Sequence, residues 1–335
     1  MKKICFYTKD PYLGNNMFNL NTSLNRDNSL YAFYLLKEAF LKNHQFDLST
    51  QDINSALASK VVIYSDMPLK LPSLKDFNKS YLILFESEVI NPENWNLNRH
   101  RYFRKIFTWD DHLVDNKKYF KINFPHLIPE CINKDIFNRQ KLCTLISGNK
   151  KVTHPLELYS KRVEVIRWFE KYHLENFDLY GIGWDELCLE NKYIRFIVKN
   201  AGLSKLLAHK YPSYQGKIDS KKEVLGKYKF AICYENARDI TGYITEKIFD
   251  CFFAACVPVY WGADNISEHV PETCFIDKRN FKSYQDLYMF MSNISNDEYL
   301  SYLKNIEGYL NSEKVYSFSA DYFAQTIVNN IINDF

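Results

Sequence analysis

The stretch YKFAICYENARDITGYITEKIFDCFFAACVPVYWGA, residues 228–263, contains a strand, a polar loop, a helix and a second strand. Its apolar runs at 228–236 and 257–263 are continuous rather than alternating, which is typical of parallel strands covered on both faces. Residues 245–256 join them and have the pattern of a buried helix. The stretch therefore predicts a βαβ unit within a parallel sheet.

The same alternation extends through the rest of the chain. A first series has strand-like runs at 3–8, 61–66, 81–88 and 105–110 and a helix at 29–43; a second begins with a strand at 141–149, a helix at 156–173 and a strand at 177–184. We predict an α/β protein with two Rossmann-like doubly wound domains facing a cleft, residues 1–138 and 139–312. An amphipathic helix within 313–335 either packs back on the first domain or faces a partner or membrane.

Composition narrows the class of partner. The 335 residues are 46% hydrophobic and 25% charged with a net charge of +3, and no long run carries one sign. This argues against a nucleic-acid partner. The densest basic stretch, residues 99–105, is interpreted as a solvated face, with contact to an acidic acceptor or a membrane as the minority interpretation.

Cysteine usage and hydropathy indicate a cytosolic protein. None of the eight cysteines forms a CxxC pair, and several lie in apolar runs, so we expect reduced core residues rather than disulfides or a zinc site. The chain begins directly with a strand instead of a signal peptide. Its longest uncharged apolar run, 251–261, is shorter than the ~20 residues that span a bilayer. We expect at most peripheral contact with the cytoplasmic membrane face.

Glycine is scarce, with ten residues, so its positions are informative. Five glycines in the second half flank strand-like runs: Gly148, Gly181, Gly183, Gly242 and Gly262. A glycine lets the backbone approach a ligand closely, although a simple turn is the favoured interpretation of any one position taken singly. Together they indicate a ligand crevice at the strand ends.

The segment GYITEKIFD, residues 242–250, predicts an anion site. Thr245 is a suitable N-cap, and the amides of a helix that begins there attract phosphate. Lys247 would add a full positive charge in the first turn, where a lysine is unfavourable unless an anion is shared. A solvated Glu246–Lys247 pair is the weaker interpretation, since adjacent residues do not face each other on a helix.

Residues 228–281 closely resemble the donor-binding signature of the bacterial-type α1,3-fucosyltransferases, glycosyltransferase family 10. The residues that match the pattern are Glu235, Asn236, Tyr243, Thr245, Glu246, Lys247, Pro258 and Gly262. Weaker similarity extends over 147–184 and 84–95. The resemblance implies a GT-B architecture, with an acceptor-binding first domain and a second domain that binds the GDP-sugar.

The resemblance also implies roles for individual residues. Arg162 and Lys247 would contact the diphosphate of GDP-fucose, Asn236 and Tyr243 would line that part of the pocket, and Glu246 would bind the ribose. Glu86, in the run LFESE, takes the position of the proposed general base. No cofactor or metal is expected, because fixed cations and a helix terminus would stabilise the departing GDP. Thr245, Glu235, Gly181, Gly183 and Trp95 are further candidates.

The sequence leaves several assignments open. Glu88, two residues beyond Glu86, is the rival base, and Arg167 is the rival of Arg162. Trp95 either stacks on an acceptor sugar or packs internally. Asp110 and Asp111 are interpreted as a helix cap rather than metal ligands.

The expected reaction is inverting transfer of L-fucose from GDP-β-L-fucose to an oligosaccharide or lipid-linked glycan. The acceptor would be a lipopolysaccharide O-chain or an N-acetyllactosamine-like sugar, with an α1,3 linkage expected. Arg238 and Asp239 depart from the family pattern, which leaves another GDP-linked deoxy- or amino-deoxyhexose as an alternative donor. A non-catalytic nucleotide-sugar-binding protein is the alternative from another class. A dinucleotide dehydrogenase is disfavoured, because no G-x-G-x-x-G opens either domain.

Overall fold

A computed structural model describes residues 1–137, 139, 141–189, 192–201 and 203–335, with only the backbone for residues 192, 195 and 199. The chain forms two compact units. The first comprises Met1–Ile128, Ile240–Glu246 and Ser312–Phe335, and the second comprises Pro129–Asp239 and Lys247–Asn311. The first unit thus ends ten residues before the expected boundary at 138 and includes part of the 242–250 segment. Each unit holds one parallel sheet, so the expected class of two doubly wound α/β domains is confirmed.

The first unit is built on a six-stranded sheet. Its elements are β1 Lys2–Tyr7, α1 Tyr31–His44, β2 Phe46–Thr50, β3 Val61–Ser65, β4 Ser80–Leu84, α2 Leu97–His100, β5 Lys105–Thr108 and β6 Tyr119–Lys121. The strand order is β2-β1-β3-β4-β5-β6, and all pairs are parallel. The sequence pattern did not predict β2 or β6.

Alternation along the strands divides this unit's core between two faces. Ile4 and Phe6 of β1 pack into the larger cluster, whereas Cys5 between them packs into the smaller cluster on the other face. Successive strand side chains point to opposite faces, and both faces are buried here, so the runs read as continuous apolar sequence. This explains why the strands are visible without any alternation in hydropathy.

The C-terminal helix α10, Ala320–Ile332, belongs to the first unit. It packs with α1 in the larger cluster, where the rings of Phe33 and Phe323 lie 5.7 Å apart. Tyr81 of β4 donates a hydrogen bond to the Asp334 carboxylate over 2.8 Å. The Ser319 side chain caps the helix, which therefore begins at Ala320, within the expected segment 313–335.

The second unit is built on a five-stranded sheet. Its elements are β7 Lys141–Ile146, α3 Tyr159–Tyr172, β8 Phe177–Tyr180, α4 Lys192–Asn200, α5 Lys221–Leu225, β9 Tyr228–Tyr234, α6 Glu246–Phe253, β10 Val257–Trp261, α7 Ile266–His269, β11 Ile276–Asp277, α8 Tyr284–Asn293 and α9 Asn296–Leu310. The strand order is β11-β10-β9-β7-β8, again all parallel. The helix predicted at 245–256 is the eight-residue α6.

The order of the second sheet marks where a ligand is expected. β7 and β9 are neighbours although β8 lies between them in sequence, so the direction of strand order reverses there. In open parallel sheets, ligands bind at the carboxyl ends of the strands that flank such a point. Ser147 follows β7 and Glu235 follows β9, which places the SGN and YEN segments at this edge.

Six of the eight cysteines are buried, as expected of core residues, but Cys131 is exposed and Cys188 is partly exposed. Those two lie in loops rather than in strands. The pattern of apolar runs did not distinguish them from the buried cysteines. In the described part of the chain, no helix is long and apolar enough to cross a membrane.

Candidate functional site

Arg162 is anchored at the carboxyl end of β9. It lies on α3 with only 4% of its surface exposed. Its Nη2 donates to the carbonyl oxygens of Tyr234 and Glu235, each over 2.7 Å, and to Asn236 Oδ1 over 3.1 Å. A buried guanidinium needs such acceptors, because desolvation of a charge is costly. The geometry brings two predicted donor-site residues, Arg162 and Asn236, together on one strand end.

Lys247 forms an ion pair with Glu235. Its Nζ lies 3.1 Å from Glu235 Oε2, and that carboxylate is fully buried while the Lys247 side chain is 20% exposed. The sequence predicts that an anion must offset a lysine at a helix start, and the structure supplies one within the protein itself. The adjacent Glu246 is half-buried in the same first turn.

Three cations line one small cavity of the second unit. Its wall includes Ser147, Arg162, Lys221 and Lys247, and its volume is about 40 Å³. Lys221 pairs with Asp250 over 2.6 Å. The three cations attract an anion, and Glu235 and Asp250 offset part of their charge. The cavity has room for water but not for a nucleotide, whose pockets usually measure several hundred Å³.

Lys221 is a site candidate that sequence reasoning missed. It lies 26 positions before Lys247 in a polar stretch, and no local periodicity connects the two lysines. Only the fold brings it to the same cavity wall.

The loop before α6 is fixed by close packing in the first unit. Gly242 has φ +80°, and a Cβ there would lie 2.3 Å from the Trp109 carbonyl oxygen. Tyr243, 1% exposed, packs its ring 4.8 Å from that of Trp109. Thr245 is also buried and immediately precedes α6. Of the predicted site residues in this loop, Tyr243 is therefore held by Trp109 of the first unit.

The peptide of Glu86 is held by side chains on both sides. β4 ends at Leu84, so Glu86 lies beyond the strand rather than within the expected run 81–88. Asp66 Oδ1 accepts from the Glu86 amide over 3.1 Å, and the Glu86 carbonyl accepts from Asn94 Nδ2 and Trp95 Nε1 over 3.0 and 3.1 Å. This fixes the backbone and leaves the Glu86 side chain half-buried. Glu88 is exposed.

Trp95 packs against a second tryptophan. Its ring centroid lies 4.8 Å from that of Trp109, whose Nε1 donates to the Phe85 carbonyl over 2.9 Å. The two tryptophans thus bind the backbone carbonyls on either side of the Glu86 Cα. Of the two roles that the sequence allows for Trp95, these contacts favour internal packing.

Arg167 and Arg238 each contact an acidic side chain. Arg167 pairs with Glu170 over 2.7 Å and covers the ring of Tyr211, so it has a structural role. Arg238 forms an ion pair with its neighbour Asp239. The two charges that depart from the family pattern therefore offset each other.

Gly181 and Gly183 join two strand-end loops. A Cβ on Gly181, which has φ +132°, would lie 1.9 Å from the Ser147 carbonyl oxygen. The Gly183 carbonyl accepts from Asn149 Nδ2 over 3.0 Å. These contacts favour close backbone approach between loops as the reason for glycine.

The basic stretch at 99–105 is largely neutralised. Arg99 pairs with Glu93, and Arg104 and Lys105 both lie within 3.0 Å of Asp334. His100 within it is buried, and its Nε2 lies 2.7 Å from the Asn94 carbonyl oxygen. Among the residues that the structure describes, no three His, Cys, Asp or Glu side chains are grouped so as to hold a metal ion.

Sequence comparisons identify relatives over parts of the chain. An α-(1,3)-fucosyltransferase, FucT, of Helicobacter pylori is 30% identical over 95 residues, which cover 28% of this chain and 17% of that protein. An α-(1,4)-fucosyltransferase of Arabidopsis thaliana is 34% identical over 73 residues, covering 22% and 18%. The chain thus matches less than a fifth of the length of either relative.

Solved structures share the fold over almost the whole chain. An α1,3-fucosyltransferase with GDP aligns with a TM-score of 0.56 at 13% identity, covering 100% of this chain and 92% of the other. An α-glucosyltransferase in complex with UDP and a 13-mer DNA also reaches 0.56, at 11% identity and 99% coverage of both. The two-domain architecture is that of the GT-B glycosyltransferases, as the sequence predicts.

The family comparison is the most specific. The model for "Glycosyltransferase family 10 (fucosyltransferase) C-term" matches residues 136–326, more than half of the chain. The match includes Arg162, Glu235, Asn236 and Lys247. The chain therefore belongs to glycosyltransferase family 10.

Proposed function

We propose that the protein transfers L-fucose from GDP-β-L-fucose to a hydroxyl group of a glycan. Family membership supports the reaction class, and the cation-lined edge of the second sheet supports a diphosphate-containing donor. The single observation that carries the proposal is the position of Arg162 and Lys247 beside the β7–β9 switch point.

The donor half of the proposal rests on electrostatics. When the bond from the anomeric carbon to the β-phosphate oxygen breaks, its electron pair remains on departing GDP. Fixed cations in a low-dielectric site stabilise that charge without reorganisation. Arg162 and Lys247 would supply this stabilisation, which leaves no step that requires a metal ion. Lys247 would then share its charge between GDP and Glu235.

The acceptor half of the proposal assigns the general base to Glu86. The acceptor oxygen attacks the anomeric carbon as its proton passes to the Glu86 carboxylate. Attack opposite the leaving group converts the β-linked donor to an α-linked product. The rigid Glu86 peptide supports this assignment, since a base must be held within hydrogen-bond reach of the proton.

The finer features of the proposal concern acceptor and location. We propose a cytoplasmic enzyme that acts on a surface glycan, such as a lipopolysaccharide O-chain or an N-acetyllactosamine-like sugar, forming an α1,3 linkage. The resemblance of the 228–281 segment to the α1,3-fucosyltransferases supports this linkage, and α1,4 and α1,2 linkages are the alternatives.

Incubation with labelled GDP-fucose, chelator and a panel of these oligosaccharides tests the proposal. We expect a fucosylated product, α-configured by NMR, at the same rate with and without chelator. If hydrolysis or transfer occurs only with another GDP-linked deoxysugar, that sugar and not fucose is the donor. GDP binding without any turnover would instead indicate a nucleotide-sugar-binding protein.

A further inference from the structure

Helix α4 and the residues that follow it carry a concentrated set of exposed apolar side chains. Seven residues between 193 and 207 are between 43% and 79% exposed; they are Tyr193, Ile194, Phe196, Ile197, Leu203, Leu206 and Leu207. Single exposed apolar residues are ordinary, but seven of them within fifteen positions of sequence indicate an interaction surface. We refer to these seven residues as the α4 apolar surface.

The helical period separates apolar from basic positions along α4. Positions 192, 195 and 199, all lysine or arginine in the sequence, share one face at the 3.6-residue period. Tyr193, Ile194 and Ile197 occupy the opposite face. Aromatic and aliphatic residues opposite a lysine- and arginine-rich face are typical of helices that lie in a membrane interface.

Basic residues outnumber acidic residues in the sequence of this surface. Residues 192–210 include five lysine or arginine residues and no aspartate or glutamate, and the next carboxylate is Asp219. From outside the stretch, Asp185 approaches Lys205 to 3.5 Å, at the edge of the surface. The basic stretch at 99–105 differs, because Glu93 and Asp334 neutralise it.

We propose that the α4 apolar surface binds the interface of an anionic lipid bilayer. The apolar side chains would enter the boundary between headgroups and acyl chains, while the basic positions remain among the phosphates. Each cation near an anionic surface adds to the attraction, and the apolar area supplies binding that soluble anions cannot provide. The proposal stands independently of the proposed transfer reaction.

Co-sedimentation with vesicles tests this surface directly. The vesicles contain phosphatidylcholine alone or phosphatidylcholine with phosphatidylglycerol. We expect the protein to sediment with the phosphatidylglycerol vesicles, and binding to weaken with added salt, because salt screens the attraction between basic residues and anionic headgroups. The double variant F196S/I197S should bind at least about tenfold more weakly, since each apolar side chain contributes to partition.

A control variant removes two apolar residues elsewhere that are even more exposed. Leu57 and Leu69 of the first unit are 91% and 99% exposed, so L57S/L69S should bind vesicles as the unchanged protein does. Equal loss in the two double variants, or no binding by the unchanged protein, would overturn the proposal.

Two further measurements test whether a soluble anion or a second copy of the chain, rather than a bilayer, binds this surface. Glycerol phosphate should not release the protein from vesicles; release would indicate a soluble-anion site and overturn the proposal. Light scattering without vesicles should give the same mass for F196S/I197S and the unchanged protein. A dimer lost only in F196S/I197S would show that a second copy covers the surface, which would also overturn it. Transfer to a soluble acceptor should be equal in both proteins, which separates this test from that of the reaction.

Discussion

The two candidate sites use opposite strategies to place charge. At the edge of the second sheet, charged side chains are held by one another: Glu235 is fully buried and Lys247 pairs with it. In the first unit the backbone around Glu86 is held, by Asp66, Asn94 and Trp95, while the carboxylate itself stays half-buried.

The difference follows from what each site is proposed to do. A site that stabilises departing GDP needs permanent charge, which burial and pairing can hold in place. A general base must change its protonation state and meet a solvated acceptor, so its support comes through the backbone instead of an ion pair. Substitution of the paired charges in the second unit should therefore change both stability and activity. Substitution of Glu86 should change activity alone.

The largest expected effect is on the reaction rate when the base is removed. We expect E86Q to lower the rate of transfer on the order of 10²–10⁴-fold, because general-base catalysis is lost. GDP binding and thermal stability should stay unchanged, as measured by calorimetry. E88Q is the matched control, and full damage in E88Q with little in E86Q would move the base by two residues.

Removal of Lys247 should affect both rate and stability. We expect K247M to lower kcat on the order of 10²–10³-fold, the scale of losing one preorganised charge donor. The control K141M removes a partly exposed lysine that also pairs, over 2.8 Å, with a buried carboxylate, Asp178. It should lower stability and leave kcat within a few-fold, and equal losses of kcat would point to a purely structural Lys247.

A double-mutant cycle separates the two roles of Lys247. K247M should cost up to about 3 kcal/mol in the free energy of unfolding, because it leaves the Glu235 carboxylate buried without this cation. Adding E235Q should recover much of that loss, with a coupling energy of about 0.5–3 kcal/mol. Denaturant unfolding measures the stability term. Transfer activity should stay low in the double variant; its recovery would contradict the proposed donor role.

The smallest expected effect is a pH dependence of stability caused by His100. This histidine contacts Asn94, which supports the Glu86 backbone. Burial lowers the pKa of His100 below its ordinary value of 6.5, so the unfolded chain binds a proton first on acidification. Stability should therefore fall as pH drops below about 6.5, by at most about 1.4 kcal/mol per pH unit. H100Q keeps a donor toward the Asn94 carbonyl without titrating, and its stability should depend less on pH in this window. Identical pH profiles of unfolding for both proteins would refute the effect.

Local sequence was sufficient for most of the strands and for part of the site. Continuous apolar runs marked β3, β4, β5, β7, β9 and β10 because both faces of each sheet are covered. The family pattern singled out Arg162, Asn236 and Lys247, which the fold gathers at one strand end.

The remaining features depend on contacts that sequence periodicity does not encode. Glu235 pairs with Lys247 at the start of α6, and Lys221 reaches the same cavity from a different segment. Residues 240–246 join the first unit because Gly242 and Tyr243 pack on Trp109, more than 130 positions earlier in the chain.

The central claim is that fixed cations of the second unit bind the diphosphate of the donor. Calorimetric titration of GDP into the unchanged protein, K247M and the stability-matched K141M tests it most directly. A hydrogen bond to a charged group contributes about 1.5–3 kcal/mol, so K247M should bind GDP about tenfold to a hundredfold more weakly, and K141M should bind it normally. Equal GDP affinity in K247M and the unchanged protein would contradict the claim.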